Sequence, residues 1–312
     1  MAVDRIGSFA NTQFMLAQIQ KAENALDLSN RQVATGKLAD TYAGYGDRTA
    51  VMEAARSAAA RADANSAAAQ QASMRLDVQD AQLTQLSDLA GQIRQALTKA
   101  AADQDATSLM YQLEGYFNQV VDLLNSKDAN GYVYAGDNSQ TPPVTVSSLA
   151  DLAALPTVAD AFANGTVKTT VRVGENQTVQ VGMLASDVAT DLFTLLRQVA
   201  QFDAGVNGPF GGTNTAAQQS FVESQILNSI DVQNGVNAQA AANGIRYKAV
   251  QSTIEQLQAS SVVYKSFVSN IEDVDMTKAI AQLNQNQVAL QASFQVASTL
   301  NRLSLLDFMP II

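Results

Sequence analysis

Large apolar residues recur at steps of three and four at both ends of this chain, and that spacing constrains its fold more than any other feature. Near the N-terminus Ile19, Leu26 and Val33 stand seven apart. Phe9 and Leu16 lie on a companion line that Glu23 and Asn30 interrupt. Near the C-terminus Met276, Leu283, Leu290 and Ala297 form one line, with Ile280 and Phe294 on the other. Two large residues per two turns is a heptad seam, and such a seam is stable only when another helix covers it. The spacing predicts a first helix over 6–34 and a last one from Met276 onward. Gly36, Gly44 and Gly46 break the first. The composition fits the same architecture. Hydrophobic residues make up 47% of the chain but aromatic ones only 6%, so Ala carries much of the apolar content and helices can approach closely.

Between the ends the pattern stays helical, with one interruption. A second helix is expected from about Arg48 to Ala102, with Leu76, Leu83 and Leu97 on one heptad line and Leu86 and Ile93 on the other. A third, about 104–126, carries Leu113, Phe117, Val120 and Leu124 on one stripe. Asn130-Gly131 then ends the helical run, Tyr132 to Gly136 reads as a short β segment, and Thr141-Pro142-Pro143 excludes helix. From Val167 to Met183 the period becomes two. The turn at Gly174-Glu175-Asn176 makes this a β-hairpin, expected to project outward as a decoration. Helix resumes at Ser186, whose hydroxyl suits an N-cap, with a stripe of Val188, Leu192, Leu195, Val199 and Phe202. Gly205 to Gly212 is a loop. After Thr213 helical composition continues, with candidate breaks at Gly235, Gly244 and Asp273-Val274-Asp275.

Composition excludes several functions. The formal net charge is −10, so the chain repels phosphate backbones and anionic membrane surfaces, and neither nucleic acid nor membrane is an expected partner. There is no Cys and no His. A Ser-His-Asp, Cys-His or zinc site therefore cannot be built from this chain alone. The pairs Asp77/Asp80, Asp103/Asp105 and Asp273/Asp275 have carboxylate chemistry, but no Trp platform accompanies them, and they read as solvated helix faces or caps. Gly205–Gly212 lacks the Gly-Lys-Ser/Thr ending of a phosphate loop. No catalytic, cofactor or metal residue is expected. The N-terminus has no secretory signal, and no apolar run reaches the ~20 residues that span a bilayer.

Three stretches carry a resemblance. Gln32-Val33-Ala34-Thr35-Gly36-Lys37 is similar to the Gln-x-(Ala/Ser)-(Ser/Thr)-Gly-Lys break of the flagellin superfamily. Gly131-Tyr132-Val133-Tyr134-Ala135-Gly136 followed by Thr141-Pro142-Pro143 resembles the Gly-x-Tyr-(Leu/Val)-(Phe/Tyr)-(Ala/Ser)-Gly…Pro-Pro element of its hook–filament junction branch. The end, from Leu290 through Leu303-Ser304-Leu305-Leu306-Asp307-Phe308, is similar to that branch's closing helix and tail. Asp40 to Asp47 departs from the family's Ser/Pro-Asp-Asp-Pro turn. The resemblance implies a structural, non-enzymatic protein of the bacterial flagellum, exported without a cleaved signal through the flagellar type III apparatus. It implies contact with another hook-associated protein proximally and flagellin distally, self-association in a ring, and an export chaperone on the C-terminal helix.

The expected fold is mainly α: an elongated antiparallel helical bundle or coiled coil, with N- and C-terminal helices together and a small β-containing insertion. Residues 1–45 and 272–312 form the expected terminal assembly domain. Residues 46–130 and 186–271 form a helical rod, and 131–185 the insertion. The expected assembly interface comprises the seam residues Phe9, Leu16, Ile19, Leu26, Val33, Met276, Ile280, Leu283, Leu290, Phe294 and Ala297, with Leu303 and Leu306 beyond them. The plainer reading of the same residues is an intramolecular helix pair. The functional alternatives are a filament subunit, or a secreted adhesin or glycan-binding protein on the same scaffold.

Overall fold

The computed structural model describes the backbone of residues 2–128, 131–174 and 177–306, and side chains for these except 2–9, 11 and 300–306. The expected break at Asn130, the turn residues Glu175 and Asn176, and the tail from Asp307 lie outside the described residues. The chain is mainly α, as expected. In order it contains α1 (Ala2–Thr35), a 3-10 helix (Tyr42–Arg48), α2 (Thr49–Ala102), α3 (Leu109–Leu124), β1 (Lys127–Asp128), β2 (Gly131–Tyr132) and α4 (Leu149–Ala154). There follow a second 3-10 turn (Val158–Ala161), β3 (Thr170–Arg172), β4 (Thr178–Gln180), α5 (Ala185–Asp203), α6 (Ala216–Glu272) and α7 (Met276–Leu306). Two compact units result, one of residues 1–61 with 260–312 and the other of residues 62–259.

In the first unit α1 and α7 lie along one another, bringing the two ends of the chain together. Among the described residues its enclosed side chains are few and mostly small: Ser29, Ala55, Ala59, Ser261 and Ala279, with Tyr45, Met52 and Glu272 the larger exceptions. Tyr45 sits in the first 3-10 helix and donates its hydroxyl to Ala39 O (2.6 Å), which ties down the segment between α1 and α2.

The second unit holds the main core. On α2, residues 62, 69, 76, 83, 90 and 97 are all buried, a strict period of seven that a helix under-wound against a partner produces. The partner is α6, which runs antiparallel to it. Asn243 Nδ2 donates to Leu76 O (2.8 Å), Gln251 Nε2 to Ser73 Oγ (2.7 Å) and Ser87 Oγ to Asn237 Oδ1 (2.8 Å). Neither Gly235 nor Gly244 breaks α6; a single helical glycine costs about 1 kcal/mol, and the packed face outweighs it. The break at 273–275 is present. Leu83, Leu86, Ile93 and Leu97 of α2 pack with Leu113, Phe117, Val120 and Leu124 of α3 and with Val188, Leu192, Leu195 and Val199 of α5. Phe193 lies between Phe117 (5.4 Å) and Phe162 (5.0 Å), and Phe202 stacks on Phe221 at 3.9 Å.

Two further details differ from expectation. The hairpin β3–β4 pairs Val171 with Val179, as the alternation requires, but it does not project. Val173 and Val181 are buried against Ala69, Ala72 and Leu76 of α2 and Val250 and Ile254 of α6. Gln79 Nε2 donates to Val181 O (3.0 Å) and Gln177 Nε2 to Thr253 Oγ1 (3.2 Å). The hairpin is a strap over the α2/α6 pair. The second difference is at α5, which starts one residue early with Leu184 at its N-cap. Ser186 does not cap it. Asn164 does so from outside the helix, its Oδ1 accepting the Ser186 N–H (3.1 Å) while its Nδ2 donates to Ser186 Oγ (3.1 Å).

Candidate assembly interface

The first seam ends where the backbone calls for a glycine. Gly36 adopts φ +70°, a left-handed conformation that costs an L-residue about 1–2 kcal/mol. Its N–H donates to Gln32 O (2.9 Å). Gln32 Nε2 donates to Leu38 O (2.9 Å), and the Lys37 N–H donates to Thr35 Oγ1 (3.2 Å). Gln32, Thr35, Gly36 and Lys37 are thus the parts of a helix stop. Across from them lies the break between α6 and α7. Leu38 N–H donates to Glu272 O (2.7 Å) and Val274 N–H to Gly36 O (2.9 Å), so the two breaks hold each other. Asp275 then caps α7, accepting the N–H groups of Thr277 (3.0 Å) and Lys278 (3.2 Å). The Lys278 N–H is the main cause that holds the Asp275 carboxyl below the usual range.

Glu272 is the centre of this junction. Only 9% of its side chain is exposed, and Lys37 Nζ and Arg56 Nη2 each lie 2.5 Å from one of its carboxylate oxygens. The hydrogen bond from Lys37, then that from Arg56, holds its carboxyl below the ordinary glutamate value against the opposing effect of burial. The same bonds raise both cations. Arg56 also reaches Glu53 (3.3 Å) and Tyr42 Oη (3.5 Å). Sequence reasoning missed Glu272 and Arg56. A signal existed: a carboxylate in the last turn of a helix opposes the helix dipole, and with no basic residue in that turn the compensating cation must come from elsewhere.

Along the α1/α7 seam the structure divides the expected interface residues into two groups. Ile19, Leu26, Val33, Leu283, Leu290 and Ala297 are half-buried between the helices. Their companion lines are Met15, Ala22 and Ser29 on α1, and Ala279, Asn286 and Ser293 on α7. Asn286 Nδ2 donates to Ala25 O (3.1 Å) and Ser29 Oγ (2.8 Å), which fixes an antiparallel register. The expected companions Leu16, Met276, Ile280 and Phe294 face outward, 60%, 42%, 45% and 49% exposed. The cause is on α1: a seam through Leu16 would also bury Glu23 and Asn30, whereas the adjacent line offers Ala22 and Ser29 and lets the backbones approach. Phe14, Leu28, Val288 and Val296 are exposed as well. The side chains of Phe9, Leu303 and Leu306 lie outside the described residues.

The acidic pairs have ordinary local partners or stand in solvent. Asp103 meets Lys99 (3.4 Å), and Asp105 accepts the Thr107 N–H (2.8 Å) and hydroxyl (2.5 Å). The Asp273 carboxylate takes a hydrogen bond from the Ser269 hydroxyl, and Asp77 and Asp80 stand exposed on α2. Among the described residues no cluster of three or more Asp, Glu, His or Cys is placed to hold a metal, and no helix is long and apolar enough to cross a membrane.

Similarity to known proteins follows the same parts of the chain. Residues 227–309 match the bacterial flagellin C-terminal helical region, which takes in Glu272 and all of α7. Flagellar hook-associated protein 3 of Salmonella typhimurium is 25% identical over 228 residues, 65% of this chain and 66% of that protein, just under two thirds of its length. Two solved structures share the fold. A flagellar hook-associated protein described from Vibrio parahaemolyticus aligns with TM-score 0.57 and 12% identity over 72% of this chain and 97% of its own. FlgL of Bacillus cereus aligns with TM-score 0.53 and 11% identity over 70% and 98%. The chain is thus similar in sequence to the bacterial flagellin C-terminal helical region over residues 227–309 and to flagellar hook-associated protein 3 over 228 residues, and it shares its fold with the two solved structures.

Proposed function

We propose that the chain is a structural subunit of the bacterial flagellum that joins hook to filament, and that it acts by burying the outward faces of α1 and α7 against neighbouring subunits. The observation that carries this reading is the incomplete satisfaction of the terminal pair. The helices cover one seam between them and leave Phe14, Leu16, Ile280, Val288 and Phe294 in solvent. Water-exposed large apolar side chains at helical spacing mark an interaction surface. Mechanism here means polymerisation, with no bond made or broken. Residues 1–45 with 272–312 act as the assembly domain, 46–130 with 186–271 as a rod, and 131–185 as an accessory insertion. The partners are another hook-associated protein on the proximal side, flagellin on the distal side and further copies in a ring. A chaperone masks α7 before export through the flagellar apparatus to the cell exterior.

Electron microscopy of a strain lacking the gene tests this reading. Intact hooks without filaments, with flagellin released to the medium, are expected, and normal filaments would refute it. Complementation with a chain lacking residues 1–35 or 276–312 is expected to fail. Restored filaments would show that the terminal helices do not carry the function.

A further inference from the structure

The charge of the chain is unevenly placed. Residues 76–126 hold seven acidic and two basic residues, and residues 185–245 five and one. Together these segments carry −9 of the net −10. Within the first of them a groove of about 530 Å³ runs between α2 and α3. Leu89 and Leu123 form its apolar part, and Asp88 and Asp122 stand exposed beside them. Gln82 and Ser126 close one end, where Gln82 Nε2 donates to Ser126 Oγ (2.8 Å). Gln82 Oε1 is enclosed there and has no donor, and an enclosed acceptor without a donor is costly. Other carboxylates of these segments have partners: Asp103 meets Lys99 (3.4 Å), Glu114 accepts the Leu149 N–H (3.1 Å) and Asp203 that of Phe210 (2.7 Å). Among the described residues Asp88 and Asp122 have none. No basic residue lines the groove, and Lys127, which follows Ser126, lies over the Tyr132 ring (4.4 Å).

We infer that this groove docks a basic segment of another protein, one that presents Lys or Arg side chains. The argument is charge complementarity. The two carboxylates and the Gln82 oxygen need donors, and ammonium and guanidinium groups supply several each while accepting none. The stem of a Lys or Arg side chain is apolar, so it covers Leu89 and Leu123 while its head reaches the carboxylates. The acidic segments around the groove add a field that draws such a partner in. A second copy of the chain is a poor occupant. It is itself net −10, and no eight consecutive residues of it hold more than two Lys or Arg. The inference does not rest on the outward faces of α1 and α7.

Calorimetric titration of the full chain with a synthetic oligo-arginine peptide tests this. Binding is expected, and it should weaken as salt rises, because the charges on both sides are exposed. Asp88→Asn together with Asp122→Asn should weaken it about tenfold. Asp77→Asn together with Asp80→Asn makes the same change of charge on α2 outside the groove, and should change binding about twofold or less. All four side chains are exposed, so helical circular dichroism should stay unchanged in both variants, which separates loss of contact from loss of fold. Absence of peptide binding, or equal weakening by the two pairs, would overturn the inference. So would spermidine displacing the peptide at equal concentration, which would make the groove a site for small amines. Loss of self-association in the groove variant would make the occupant a second copy and would overturn it too. None of these results bears on the hook-to-filament reading, which the deletion strain tests by itself.

Discussion

Removing the Glu272 carboxylate should loosen the junction that holds the terminal helices. Its two charge-assisted hydrogen bonds come from Lys37 and Arg56, and buried bonds of this kind contribute about 1.5–3 kcal/mol each. Solvent screens both here, since Lys37 is about half exposed and Arg56 about a third, so we expect Glu272→Ala to cost about 1–2 kcal/mol in all. Glu272→Gln should cost a similar amount for a different reason: the shape survives, but two cations are left facing one neutral group. Adding Lys37→Met to Glu272→Gln should then recover part of the loss, a coupling that a double-mutant cycle isolates. The effect should be local. Amide exchange at Leu38 and Val274, whose N–H groups bridge the two breaks, should rise in the single variants while α3 and α5 keep their protection. The pH dependence has a defined sign. Glu272 titrates below its ordinary value near 4.5 in the folded chain, so its contribution is complete above that value and is lost as pH falls through the lower folded value. Asp105, Asp151 and Asp275 are lowered too and act in the same direction. Unchanged exchange at Leu38 and Val274 in Glu272→Ala would refute the reasoning.

Glycine substitutions should separate conformation from space. Gly36→Ala meets open surroundings and only the positive φ, so about 1–2 kcal/mol is expected by denaturant unfolding. Gly136→Ala adds a clash, since a Cβ there would lie 2.6 Å from Leu184 Cδ2 and 2.7 Å from Val167 O, and should cost clearly more. Tyr134→Phe should be neutral or stabilising by up to about 1 kcal/mol, because the buried hydroxyl has no hydrogen-bond partner; a loss above that in urea would reveal a hidden role. Asn286→Leu should keep the α1/α7 pair but relax its register, seen as faster exchange across Ala25 to Ser29 without loss of helicity.

The long helices are legible in the sequence because their faces repeat. Leu76, Leu83 and Leu97 on α2, and the stripe on α5, need only a period and a boundary. The hairpin is legible for the same reason, but its position is not. Alternation shows that Val173 and Val181 share a face and does not say that Ala69, Ala72 and Val250 wait beneath it. On α1 the expected line of Ile19, Leu26 and Val33 packs, but its companion line is off by one residue. Size alone favours Leu16, whereas the packed line uses Ala22 and Ser29, whose value lies in how closely they let α7 approach. Ser186 reads as a cap only until Asn164, 22 residues away, is seen to accept the Ser186 N–H and to donate to its hydroxyl. Glu272 escapes notice because its partners lie in two other segments. Local periodicity is readable throughout, while contacts set by distance in the chain and by small size are not.

The proposed interface makes a further demand on energetics, and it predicts how assembly should depend on concentration. A fully buried large side chain contributes about 1.5–3 kcal/mol, and Phe14, Leu16, Ile280, Val288 and Phe294 have roughly half of that still unrealised at their exposures. Covering all five would yield about 5 kcal/mol per chain. Association of two bodies costs an estimated ~4–15 kcal/mol in lost freedom, so one neighbour covering part of this face leaves a dimer marginal. A ring or lattice gives each copy neighbours on several sides while the freedom of that copy is lost only once. Association should therefore be cooperative: monomer at low concentration, then large assemblies above a threshold, with dimers scarce between. Sedimentation across that range distinguishes the cases, and a stable dimer that grows no further would mean that a single partner satisfies the exposed faces of α1 and α7.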